Sequence, residues 1–461
     1  MLKRKVYSEL LEWKNREHKC LVITGQRQVG KTFIIELFGK NEYKTFIEIN
    51  LNDDREAKDI FKGPLNVDSI IKNIIVKYDI KDIDPKDTLL FFDEIQECPE
   101  AYSSLKAFTI DGRYDVIASG SLLGVNIPNV SKPGPLIPMG YEERIIMHGL
   151  DFEEFIIACG VDESLIEEIR GNFVRKERIN EIAKKKLESL FRDYMIVGGM
   201  PESVQAFIND GNYKNTSKIL SDLVNSCIRD INRYNEGLDK VKTSDCFDSI
   251  KDQLSESNKK YIYSRINGGK SRKAADIYKE NLLWIKGAGY GNFCYNVNEI
   301  VSPLRSIRDS FKIYLSDTGM LINQYGTECM KAIYNDDTGY NKGAIAENVA
   351  AECLMKCGYQ LRYYNKNSGE GKMEIDFIVE TDSGITAIEI KSGKDRSAPS
   401  LNKIDRYWKV GRKMMFEKSN IHADDDGIEH YPMFCIAFMD SLRTEWFGED
   451  AGAVLNLQNT K

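Results

Sequence analysis

Apolar positions along the first 120 residues fall into two alternating rhythms. Residues 20–24 (Cys-Leu-Val-Ile-Thr) form a short continuous apolar run that reads as a buried parallel strand. Residues 31–38 follow with helical spacing, which lets Phe33, Leu37 and Phe38 face a core. Before them, residues 7–17 read as an amphipathic helix with Leu10, Leu11 and Trp13 available for burial. Residues 45–51 alternate like a strand, and residues 60–78 hold helical patches around Ile70, Ile71 and Ile74. Residues 88–94 and 114–119 are two further strands, the first ending in two acids. Strands alternating with helices predict a parallel sheet wrapped by helices, with ligand at the carboxyl ends of the strands.

The rhythm then becomes helical. Residues 152–159, 163–171, 180–192 and 216–229 read as helices, and Gly198-Gly199 before Pro201 interrupts them with a tight turn. Helices at 245–255, 261–267 and 271–286, followed by a β-wing at 292–297, make a winged-helix pattern. Strands at 311–315, 374–379 and 385–391 and a helix at 342–357, with Ala346, Ala350 and Leu354 on its packing face, give a last α/β region. The expected organisation is therefore a core at 1–150, a helical lid at 151–240, a winged-helix module at 241–303 and an α/β domain at 304–461.

Composition narrows the function classes. A chain of 461 residues is too long for one core. With 42% hydrophobic and 29% charged residues it reads as a globular protein. The net charge of −7 argues against generic coating of nucleic acid. Residues 251–290 nevertheless hold nine basic and four acidic residues, a local balance of +5. Nothing approaches 18 apolar residues in a row, so neither signal peptide nor membrane span is expected. Ten cysteines without a C-x-x-C pair and four scattered histidines point to reduced thiols in the cytoplasm rather than a zinc site. Cys353 and Cys357 are expected to pack on a helix, and the acidic run at 422–427 is expected to be a solvated loop.

The chemistry concentrates at Gly25-Gln-Arg-Gln-Val-Gly-Lys-Thr32, which fits the P-loop pattern G-x-x-x-x-G-K-[ST]. Its glycines let backbone N–H groups of Gly25, Gln26, Arg27, Gln28, Val29 and Gly30 turn toward phosphate oxygens, and the following helix adds its positive end. Lys31 would reach the β- and γ-phosphates of ATP and Thr32 would bind Mg²⁺. Asp93 would hold the same Mg²⁺, and Glu94 would orient or deprotonate the attacking water. Ser119 and Ser121 compete as sensors of the γ-phosphate, and either could simply form a turn. In the basic segment, Lys270, Arg272 and Lys273 open the third helix and are candidates for DNA phosphate contact, with Lys279 one or two turns later.

The P-loop, Phe92-Asp-Glu-Ile-Gln-Glu97 and Gly120-Ser121 together resemble a prokaryotic branch of the AAA-type ATPases. Leu150-Asp-Phe-Glu-Glu-Phe155, Gly198-Gly-Met-Pro-Glu202 and Phe311-Lys-Ile-Tyr-Leu-Ser-Asp-Thr-Gly-Met320 resemble its core-closing, lid and C-terminal signatures. The C-terminal part of that family is a domain of unknown function. The resemblance implies a P-loop NTPase sheet with a helical lid, a homo-oligomer if assembly carries over, and an arginine acting across subunits, for which Arg144, Arg192 and Arg229 are candidates. A helix Glu347, a strand Asp376 and then Glu389-x-Lys391 look like a restriction-endonuclease-like nuclease signature. That likeness implies a second Mg²⁺ or Mn²⁺ held by Glu347 (with Glu352 a nearby rival), Asp376 and Glu389, with Lys391 positioning water. The expectation is an AAA-type ATPase coupled to a DNA-binding, nuclease-like C-terminal region. The rivals are a nucleotide-gated protein-interaction switch and an ATP-regulated metal-dependent nuclease.

Overall fold

The computed structural model describes residues 2–81, 83–121, 140–234, 239–256, 258–267, 274–337, 342–393 and 397–443. Lys270, Arg272 and Lys273 lie outside the described residues. The chain divides into two compact units that do not run in sequence order. The first comprises Met1–Ala158, Gly198–Phe247 and Tyr263–Gly291, and the second Cys159–Val197, Asp248–Ile262 and Asn292–Lys461. The segment expected as a lid thus contributes to both, as does the segment expected as a winged helix.

In the first unit, strands β1 (Cys20–Gly25), β2 (Thr45–Asn50), β3 (Thr88–Asp93), β4 (Asp115–Ser121) and β5 (Glu142–Met147) form one sheet in the order β2-β3-β4-β1-β5. Each pairing is parallel. Every residue of β1 and β3 is buried, as the uninterrupted apolar runs require of strands covered on both faces. The helices Val67–Tyr78 and Pro99–Asp111 cover one face, packing Ile70, Ile74, Leu105 and Phe108 against Val22, Ile49, Leu90 and Phe92.

The helix Lys31–Glu42 corrects one expectation. Phe33 is 58% exposed and Leu37 half-buried, while Phe38 is buried as expected, together with Lys31, Ile34 and Ile35. The register i, i+3, i+4, i+7 is set by Lys31 pointing back into the loop, which turns Phe33 outward. Likewise the N-terminal helix Lys5–Lys14 buries Val6, Leu10 and Trp13, while Leu11 is only half-buried.

In the second unit, β6 (Gly291–Val297), β7 (Ser306–Leu315), β8 (Arg362–Lys366) and β9 (Met373–Ile375) form a sheet in the order β7-β6-β8-β9. The strand expected as a wing is therefore a member of a four-stranded sheet, where it pairs in parallel with β8. The expected second helix of the winged pattern is a 3₁₀ segment, Tyr263–Asn267. A second sheet joins β10 (Phe377–Thr381), β11 (Gly384–Ile390), β12 (Arg412–Glu417), β13 (His422–Ala423) and β14 (Glu429–Pro432) in the order β10-β11-β12-β14-β13. Asp376 stands at the break between β9 and β10, so the single strand expected at 374–379 is two. The helix Lys342–Lys356 carries Glu347, and Cys353 and Cys357 are buried as expected. All ten cysteines are free. Among the described residues no helix is long and apolar enough to cross a membrane.

Candidate functional site

β1 delivers Gly25 to the carboxyl edge of the sheet, and the chain bends there before the helix Lys31–Glu42 begins. Two residues of the bend take positive φ, Gln28 at 64° and Gly30 at 93°. A Cβ on Gly25 would run into the Met147 carbonyl oxygen of the neighbouring β5, so only glycine passes there. The Gly198–Pro201 turn approaches the same bend, since a Cβ on Gly30 would meet the Pro201 ring at 3.8 Å.

Lys31 folds back over the loop and donates to the Gly25 and Gln26 carbonyls at 3.2 and 3.0 Å. Burial lowers the pKa of its ammonium, with Glu94 and Asp93 pulling it back up. Thr32 Oγ1 donates to Asp93 at 3.3 Å, and Asn50 Nδ2 donates to the same carboxylate at 3.3 Å. Burial pushes the Asp93 carboxyl above its usual range, against the hydroxyls of Ser119 and Thr32 that hydrogen-bond to it. Ser119 is fully buried and donates to Asp93 Oδ1, whereas Ser121 lies opposite Gly25 in the β1–β4 register. Glu94 follows β3 with φ of 53°, and its carboxylate accepts from Gln96 Nε2. Lys31, Thr32, Asp93, Glu94, Ser119 and Ser121 thus meet at one edge of one sheet.

Thr32 and Asp93 offer hard oxygen donors from two elements within hydrogen-bond reach, which fits Mg²⁺.

Sequence reasoning missed the residues that hold the loop from behind. Arg4 is 9% exposed; it donates to the Val29 carbonyl at 3.0 Å and to the His148 carbonyl at 2.6 Å, and pairs with Glu154 at 3.2 Å. Arg27 pairs with Asp230 at 3.1 Å on the helix Tyr213–Tyr234, and Tyr290 donates to the same carboxylate at 2.8 Å. These partners lie 25 to 203 positions apart, and no periodicity marks them.

The arginine candidates separate. Arg144 on β5 bonds Glu142 at 2.7 Å and the Tyr102 hydroxyl at 2.8 Å. Arg229 is exposed and donates to Ser226 at 2.6 Å. Arg192 belongs to the second unit.

In the second unit the nuclease-like set meets an unexpected cation. Lys312 on β7 is 1% exposed and lies 3.3 Å from both Glu347 and Glu374. Glu347 also pairs with Lys259 at 2.7 Å and accepts from the Tyr314 hydroxyl at 2.9 Å. Burial alone would raise the Glu347 carboxyl, but Lys312 and Lys259 outweigh it and hold it below its usual range. Asp376 accepts from the Ile390 N–H at 2.9 Å, and burial followed by Glu347 and Glu389 pushes it well above its usual range. Lys391 pairs with Glu389 at 2.9 Å. Glu352, the rival of Glu347, pairs with Lys356 and accepts from Thr318. Among the described residues no three His, Cys, Asp or Glu side chains are placed to hold a metal ion. Glu347 is matched by two ammonium groups. Lys279 is exposed on the helix Ala274–Ala288.

Residues 188–329 match a domain of unknown function, DUF8612, and residues 342–435 match another, DUF4143. A search of curated proteins found no match to the chain. Among solved structures, the Walker-type ATPase PABY2304 of Pyrococcus abyssi aligns at 13% identity and TM-score 0.41, over 70% of this chain and 96% of that one. AMPPCP-bound DnaA from Aquifex aeolicus aligns at 14% identity and TM-score 0.26, over 61% of this chain and 86% of that one. The Hsp104–ADP complex of S. cerevisiae aligns at 13% identity and TM-score 0.28, over 77% of this chain and 46% of that one. Residues 17–156 match the family described as an AAA domain, and with the P-loop on β1 and the parallel sheet around it, this part of the chain is an AAA-type P-loop domain.

Proposed function

We propose that this chain binds ATP with Mg²⁺ at residues 25–32 and hydrolyses it, with Lys31, Asp93 and Glu94 as the catalytic groups. The observation that carries the reading is the meeting of Lys31, Thr32, Asp93 and Glu94 at the carboxyl edge of one parallel sheet. Lys31 would exchange its two loop carbonyls for phosphate oxygens. Thr32 and Asp93 would hold Mg²⁺, which when bound neutralises charge developing on the phosphates. Glu94 would accept the proton of the attacking water. Ser119 is committed to orienting Asp93, which leaves Ser121, beside Gly25, as the sensor candidate at the loop.

Lys31→Ala tests the reading directly. A charge-assisted hydrogen bond contributes about 2 kcal/mol, so ATP affinity should fall roughly thirtyfold or more. Wild-type protein at 100 times its Kd for ATP should gain about 2.7 kcal/mol of stability, and the variant should lose most of that gain at the same concentration. Equal ATP-dependent shifts in melting temperature for both proteins would remove the assignment.

We further propose that the basic segment 251–290 contacts DNA phosphates through Lys279 and the Lys270, Arg272 and Lys273 cluster, and that the C-terminal unit does not cut the strand. The matched charges around Glu347 support the second statement. Incubated with plasmid and Mg²⁺ or Mn²⁺, the protein should retard DNA with an affinity that falls steeply with salt, and leave it intact. Binding insensitive to salt, or none, would favour the nucleotide-gated protein switch. Nicking that disappears in Asp376→Ala would instead establish the nuclease.

A further inference from the structure

The second unit contains a cavity of about 300 Å³ that Lys391 of the nuclease-like set lines on one side. It lies among the helix Glu181–Val197, the helix Lys342–Lys356 and the 3₁₀ segment Met433–Leu442. Phe191, Met195, Ile345, Met433 and Phe434 give it apolar walls. Its volume is at the low end for small-molecule sites.

The charges around the rim are nearly balanced. Lys184 pairs with Glu188 at 2.7 Å, and Lys418 with Asp336 at 2.5 Å. Lys391 pairs with Glu389, and Glu417 shares a hydrogen bond of 2.7 Å with His430, whose other ring nitrogen faces Asp424 at 3.2 Å. One cation is without a partner among the described residues. Among the described residues, the Arg192 guanidinium makes no hydrogen bond or ion pair, and neither does the Ser392 hydroxyl; both line the cavity. A guanidinium is charged at every accessible pH and presents a planar fork of donors that matches a carboxylate or phosphate with two parallel bonds. A cationic guest would meet Arg192 with like charge. A purely apolar guest would leave the guanidinium beside it without an acceptor.

We propose that this cavity binds a small organic anion, with a carboxylate or phosphate head on Arg192 and an apolar or aromatic body against Phe191, Met195, Met433 and Phe434. Met side chains suit such a wall because they reshape around irregular apolar guests. The inference stands independently of the nucleotide loop.

The test uses the full chain labelled with ¹³C at its methionine methyls, titrated with 4-phenylbutyrate and with its neutral analogue 4-phenylbutyramide. The Met195 and Met433 methyl resonances should shift together with the acid. The amide should bind at least about tenfold more weakly, the loss expected for one charge-assisted contact. Arg192→Met should bring the acid down to the affinity of the amide, and Arg192→Lys should restore part of the difference. Arg192 is half-buried, so both variants should fold, and their methionine spectra report that directly. Absence of shifts at both methyls, equal affinity of wild-type protein for acid and amide, or an Arg192→Met variant that still prefers the acid would overturn the proposal.

Discussion

Glu94→Gln is expected to lower ATP turnover at saturating ATP by about a hundredfold or more while leaving ATP affinity within about twofold of wild type. The substitution keeps the size and planarity of the side chain and removes only its ability to take a proton. Glu94 leaves β3 with a left-handed backbone, and Gln96 holds its carboxylate by one bond, so the amide can keep the same contact. Nothing about the phosphate loop changes. The signature is therefore a split: turnover collapses and binding persists, the reverse of Lys31→Ala. Turnover within threefold of wild type would show that another group handles the water.

Glu347→Ala is expected to destabilise the second unit by about 3–5 kcal/mol, the cost of stranding a buried charge. Lys312, almost wholly enclosed, would keep only Glu374, whose side chain is half open to solvent, and the more distant Asp376. For a unit of this size such a loss lowers the melting temperature by about 10 °C or more, readable as the transition that moves in a calorimetric scan. The pH dependence has a definite sign. The Glu347 carboxyl is held below its usual range, so its contribution is present above the unfolded value of about 4.3 and is lost as pH falls through the folded one. Wild type should lose more stability than the variant on acidification. A shift under about 2 °C at neutral pH would mean that the lysines find other counter-charges.

The parts of the chain that are contiguous in sequence were legible there. An apolar run, a glycine-bracketed bend and a helix specify one another locally, and so do the four apolar residues that carry Asp93 and Glu94 to the sheet edge. Phe33 shows the limit of that reading: hydrophobicity alone suggested burial, but the phase of its helix is governed by Lys31. Arg4, Asp230 and Tyr290 were invisible because their roles come from partners brought close only by folding. Lys312 left a trace, as a lysine inside the apolar end of its strand, two positions from Tyr314 and therefore on its face. The division into units could not be read from composition, because the chain passes from one to the other several times.

The pairing of Arg27 with Asp230 has a thermodynamic corollary. A phosphate that drew Arg27 off that carboxylate would leave Asp230 the hydrogen bond from the Tyr290 hydroxyl in place of its cation. Two acceptors then contend for one guanidinium, and by reciprocity whatever strengthens the helix contact weakens the hold on nucleotide by the same factor. A partner that bent the helix Tyr213–Tyr234 away from the loop would thus raise ATP affinity without touching ATP.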